Sequence, residues 1–262
     1  NTAKISFTTG QSQSYCYKRQ ISGLSHKRKK ILQGNAMLPL EIKYLQNAQY
    51  EPTHAAMLAR VLSRIEQKKS TSSEQAQLSA DELWIVDHEN VFTLGQAGKP
   101  EHILQRDNTP IIHTDRGGQV TWHGHGQLVV YFLFDLNALG WGVRDLVSKA
   151  ENIIIDVITP YLPPDFYAKA RADAPGVYVY NQDDLELGKI ASLGFKIKHG
   201  FSYHGIAINV QNDLTPFQMI NPCGYAGMTM LRLADFADVD YQAFTQQFIN
   251  RVNQERQFSL SK

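Results

Sequence analysis

Apolar and polar residues alternate with period two over residues 40–45 (Leu-Glu-Ile-Lys-Tyr-Leu), the pattern of a half-buried strand. After Pro52 the period changes. Met57, Val61 and Ile65, with Leu58 and Leu62, recur at helical spacing and predict an amphipathic helix to about Lys69. Residues 70–79 are small and polar and predict a loop. Apolar runs at 83–86, 91–94, 110–113 and 128–136 predict strands. Val143, Leu146, Val147, Ala150, Ile153, Ile154, Val157 and Ile158 fall on one stripe, a helix packed on a sheet, which Pro160, Pro163 and Pro164 end. Short strands are predicted at 177–180, 189–193, 195–197 and 206–210, broken by Gly188, Gly194, Gly200 and Gly205. Phe244, Phe248, Ile249 and Val252 predict a last helix. Strands grouped in this way, not strictly alternating with helices, predict an α+β (α/β) fold: a mixed sheet with flanking helices.

Composition sharpens this picture in three ways. The 262 residues, 43% of them apolar, suffice for one large core, so residues 37–262 are expected to form a single domain. No apolar run approaches the ~20 residues of a membrane span, and the two cysteines, Cys16 and Cys223, make no disulfide framework or paired zinc motif. The net charge of +1 hides an asymmetry: residues 1–36 hold seven Lys/Arg and no acid, leaving 19 basic against 25 acidic residues, a net of −6, in the rest. A basic tail on an acidic domain argues against a nucleic-acid binder. The tail reads either as an unstructured extension or as an organelle transit peptide, so the expected location is cytoplasmic, or mitochondrial in the second case.

The candidate chemistry centres on residues 116–127, Arg-Gly-Gly-Gln-Val-Thr-Trp-His-Gly-His-Gly-Gln, a glycine-rich loop expected between two strands. It lacks both the GxxxxGK[ST] and the GxGxxG phosphate signatures. Cys223 lies in an Asn-Pro-Cys-Gly turn, where the residue types leave two readings open: an inert small hydrophobe or a nucleophilic thiol. Lys189 begins an apolar segment, Lys-Ile-Ala-Ser-Leu-Gly; it is either an exposed lysine at a strand start or a buried amine able to take a proton from a thiol. His123 and His125 have the His-x-His spacing of a metal pair, but no third ligand stands at a matching distance and no metal is expected. His204 keeps a Cys-His hydrolase open.

Four segments, residues 116–127, 188–194, 204–209 and 221–227, together resemble the octanoyltransferases of lipoate biosynthesis, and the similarity extends to residues 91–98 and 171–177. The resemblance implies the catalytic-domain fold of biotin and lipoate protein ligases, Cys223 as nucleophile and Lys189 as its base. It also implies an acyl pocket formed by Arg116, Gly117, Gly118, Gln119, Val120, Thr121, Trp122 and His123, by Ser192, Leu193 and Gly194, and by Gly205, Ile206 and Ala207. Trp122 stands where the family usually has tyrosine and His125 where it usually has proline, which affects chain-length preference and loop rigidity.

By the same resemblance, the donor is octanoyl-acyl carrier protein and the acceptors are lipoyl domains of 2-oxoacid dehydrogenases and the glycine cleavage H protein, with no cofactor, nucleic acid or membrane. Carrier proteins are acidic, so docking calls for a local basic patch, for which Lys196 and Lys198 beside the site are candidates. Three alternatives compete: an ATP-dependent lipoate ligase on the same fold, an amidotransferase between lipoyl domains, and a non-catalytic acyl-binding module.

Overall fold

The computed structural model describes residues 40–70 and 80–261. The predicted basic extension, Cys16 and nearly all of the 70–79 loop lie outside the described residues. The chain order is β1 (Glu41–Ala48), α1 (Tyr50–Ser70), β2 (Glu82–His88), β3 (Val91–Leu94), β4 (Ile111–His113), β5 (Val120–His123), β6 (Gln127–Leu133), α2 (Leu136–Leu139), α3 (Val143–Ile158), β7 (Phe166–Ala170), β8 (Gly176–Asn181), β9 (Glu186–Lys198), β10 (Phe201–Asn209) and α4 (Tyr241–Leu260).

Seven strands form one sheet in the order β1-β2-β6-β10-β9-β8-β7, and β4-β3-β5 form a second, smaller one. The large sheet is antiparallel except for the β1–β2 pair, and β3 pairs in parallel with β4, so the predicted mixed sheet with flanking helices is what forms. Helices α3 and α4 cover one face of the large sheet, where Leu128, Val130 and Phe132 of β6 meet Leu146, Ile153, Ile154, Phe244 and Phe248. The alternate residues of the same strand, Val129, Tyr131 and Leu133, meet Met57, Val61 and Ile65 of α1 on the other face. Each fully buried side chain of this kind contributes roughly 1.5–3 kcal/mol.

Three features depart from the sequence pattern. Residues 120–123, expected within a loop, are strand β5, paired with β3 from Val91↔His123 to Leu94↔Val120. The two strands expected on either side of Gly194 are one 13-residue strand, β9, and β10 begins at Phe201, running through Gly205. Gly205 is needed there because a Cβ would lie 1.9 Å from the Val130 carbonyl oxygen of the neighbouring strand. Strand β7, at the sheet edge beyond the prolines, has no counterpart among the predicted elements.

Candidate active site

The glycine-rich loop is held by its own first residue. Arg116, 8% exposed, donates from Nη2 to the carbonyls of Thr93 and Gln119 at 2.7 Å each, and from Nη1 to the Gly117 carbonyl at 2.9 Å. Residues 95–97 run beside it, with Gln96 N–H donating to the Arg116 carbonyl and Ala97 N–H to that of Gly118. The loop then rests on β9, where Gly117 N–H donates to the Phe195 carbonyl at 3.3 Å.

Two adjoining cavities flank this contact. The first, of about 50 Å³, is lined by Arg116, Gly118, Gln119, Val120, Thr121, His123, Ser192, Leu193, Gly194, Gly205, Ile206 and Ala207, so three distant segments named from sequence converge on one slot. Tyr50, Val129, Tyr131 and His204 complete its wall; the first three were not identified from sequence. The second, of about 360 Å³, holds Lys189 together with Gly117, Leu193, Phe195, Pro175, Val143 and Tyr225. Gly118, Gln119, Leu193 and Gly194 line both. Trp122 lines neither. Strand alternation turns its ring to the far side of β5, edge-on to Phe217 at 5.6 Å.

Lys189 is 1% exposed and lies within β9, not at a strand start. Its Nζ donates to the Pro175 carbonyl at 3.0 Å and sits 5.2 Å from the centre of the Tyr178 ring. Its backbone pairs with residues that follow Cys223: Lys189 N–H donates to Thr229 O at 2.8 Å, and Leu231 N–H to Lys189 O at 2.9 Å. Asn209 Nδ2 fixes the same segment by donating to Leu231 O. Cys223 occupies a short 3-10 turn, Pro222–Gly224, and the next residue but one, Tyr225, lines the Lys189 cavity. Gly224 packs on the Gln119 side chain, which ties this turn to the glycine loop.

Lys196 and Lys198 do not flank the Lys189 cavity. Phe195 and Ile197 line it, and the alternation of β9 puts the two lysines on the opposite face of the sheet, where Lys196 registers with Tyr203.

Behind the slot lies a buried imidazole network. His88 donates from Nδ1 to the Ala48 carbonyl at 2.8 Å and accepts at Nε2 from Tyr131 Oη at 2.7 Å; His123 donates from Nδ1 to Gln127 Oε1 at 2.8 Å and stacks on Tyr50. Burial lowers His88 to about 4 and His123 to about 3, the latter helped by His88. Both are therefore neutral in the folded chain at pH 6, whereas in the unfolded chain they titrate near 6.5. Their contribution to stability is full above that value and is lost as pH falls towards about 4 and about 3. Urea midpoints are expected to fall steadily from pH 7 to pH 4, and His123→Gln should flatten that slope; an unchanged slope would refute the assignment.

Among the described residues, one group could offer three metal ligands: His54, Asp115 and His204. Their atoms are already joined, with His54 Nε2 at 3.0 Å and His204 Nε2 at 2.8 Å from Asp115 Oδ1, and Tyr203 Oη donating to Oδ2. The His204 bond, with those of Tyr203 and His54, holds the Asp115 carboxyl well below the usual carboxylate range. His204 faces the slot and not the Lys189 cavity. His123 and His125 diverge, the latter pairing with Asp87 at 2.9 Å. Among the described residues no helix is long and apolar enough to cross a membrane.

Residues 64–253 match the model of the lipoyl protein ligase A/B catalytic domain. The chain is 52% identical to an octanoyltransferase of Psychrobacter arcticus, over 81% of this chain and 88% of that protein. It is 51% identical to an octanoyltransferase of Acinetobacter baylyi, over 74% of this chain and 84% of the relative. Among solved structures, the lipoate complex of P. falciparum LipL1 superposes with a TM-score of 0.58 at 12% identity, covering 82% of this chain and 60% of that one, a likeness of fold alone. The chain therefore belongs to the lipoyl protein ligase A/B catalytic-domain family and, within it, to the octanoyltransferases.

Proposed function

We propose that the chain moves an octanoyl group from acyl carrier protein to a lysine of lipoyl domains through a thioester on Cys223, with Lys189 as the proton acceptor. The observation that carries this reading is the buried Lys189 amine, in a cavity that Tyr225 of the Cys223 loop also lines and which shares four residues with a slot behind the glycine loop. An apolar tail gains roughly 0.8 kcal/mol per methylene buried in such a slot.

In the first half-reaction Lys189 takes the Cys223 thiol proton, and sulfur bonds to the octanoyl carbonyl carbon. The oxyanion then re-forms the carbonyl as the bond to the carrier's sulfur breaks, and the departing thiolate takes the proton from Lys189. In the second, the acceptor's lysine nitrogen attacks the same carbon, the bond to Cys223 breaks, and the amine proton passes by way of Lys189 to the Cys223 thiolate. The acyl group arrives already activated, so no nucleotide is consumed.

The acceptors would be lipoyl domains of 2-oxoacid dehydrogenases and the glycine cleavage H protein, and the setting cytoplasmic. The test is intact-protein mass spectrometry after mixing the chain with octanoyl-acyl carrier protein without ATP, followed by peptide mapping. A hydroxylamine-labile octanoyl adduct on Cys223 is expected. ATP-dependent capture of free octanoate with no adduct would move the chain to the ligases, and binding of the acyl group without transfer would leave only a binding module.

A further inference from the structure

Helix α3 carries a carboxylate on its core-facing stripe. Glu151 is 8% exposed, among Leu146, Ala150, Ile153 and Ile154, and burial raises its carboxyl above the ordinary value. A bare acid there is costly unless its oxygens are used. Its Oε1 accepts from Gly176 N–H at 3.0 Å. That N–H belongs to the peptide unit whose carbonyl, on Pro175, accepts from Lys189 Nζ at 3.0 Å. One peptide thus joins the buried acid to the buried amine, polarised in the same sense from both ends.

We infer that Glu151 is a positioning residue for the reaction, fixing the Pro175–Gly176 peptide that aims the Lys189 amine and setting the field in which that amine gains and loses its proton. This rests on the reading of Lys189 as proton acceptor. The titratable groups around Lys189 are Glu151 from α3, the Tyr178 ring from β8, Asp173 paired with Arg171 before β8, and Tyr225 of the cavity lining, in the loop that carries Cys223. Tyr178 Oη is occupied by the Ala174 carbonyl, and Asp173 is held by Arg171 at 2.6 Å, so Glu151 is the acid coupled to the amine through the peptide.

Two substitutions separate aim from field. In Glu151→Gln the side-chain carbonyl still accepts from Gly176 N–H, but the negative charge is gone. The field at the site loses its negative end, so the acid limb of the kcat profile is expected to move to lower pH. In Glu151→Leu the peptide is released, and kcat is expected to fall on the order of 10²-fold with KM little changed, the cost of a misplaced reacting group.

The measurement is kcat and KM for octanoyl transfer across pH with the full chain, alongside urea midpoints. An acid limb that stays in place, or moves upward, in Glu151→Gln would overturn the inference even if Glu151→Leu fails to fold. So would full kcat in a folded Glu151→Leu. Failure of the underlying reading looks different: Lys189→Met would keep its activity, whereas an inactive Lys189→Met with an unmoved Glu151→Gln limb refutes this inference alone.

Discussion

Lys189→Met is expected to lower octanoyl transfer by roughly 10²- to 10⁴-fold, the range for removing a positioned acid–base group, while the urea midpoint stays level or rises. The two effects part if, as proposed, the amine is buried for its chemistry and not for the fold. Its 1% exposure denies the ammonium its water, and the contacts that replace it, a carbonyl bond and an aromatic face among them, serve a charge that packing alone does not require. Methionine fills the same volume without a charge, so the loss of rate would not be a loss of structure. Steady-state turnover and urea melts on the same preparation check it. Retention of most of the turnover would remove Lys189 from the chemistry and leave its burial to be explained by packing.

Gly176→Ala is expected to be nearly as damaging, although residue 176 bears no functional group. The backbone there has φ of +150°, and an added methyl would stand 2.4 Å from Lys189 Cε and 2.8 Å from its Nζ. The lysine chain would have to leave the Pro175 carbonyl, which on the measure of other displaced catalytic groups costs on the order of 10²-fold in kcat. Overpacking and an unfavourable φ add about 1–3 kcal/mol of destabilisation. A compensating pair distinguishes this from general damage: in a Lys189→Ala background the contact with the lysine chain is gone and only that with the Ala191 carbonyl, 2.8 Å away, remains, so the added methyl should cost less stability. Equal stability losses in both backgrounds would rule out the clash as the cause.

Much of this arrangement is legible in the amino-acid sequence. The period-two run at residues 40–45 and the helical stripe of α3 each became the element they indicate, because both depend on local spacing. Glycine misled where it served packing and not punctuation: Gly194 and Gly188 lie inside continuous β9, at points where Gly117 and Thr229 press their carbonyls against the strand. The slot residues from the glycine loop, β9 and β10 were visible as motifs, and Lys189 with Cys223 as residue types in suggestive settings. Tyr50, His88, Tyr131 and Glu151 were not, because each takes its meaning from a partner supplied by topology. Glu151 meets Gly176 only because α3 packs across β8 and β9. Strand alternation, once the register was known, removed Lys196 and Lys198 from the rim of the cavity and Trp122 from the slot.

The two faces of β5 serve different masters. Thr121 and His123 look into the slot, whereas Trp122 looks outward to Phe217 and Ile220, which lead directly into the turn bearing Cys223. On the proposed reading, the wall that meets the acyl tail and the support of the Cys223 turn are therefore set by adjacent residues of one four-residue ribbon. A substitution at position 122 bears on the support of the Cys223 turn and not on the wall of the slot.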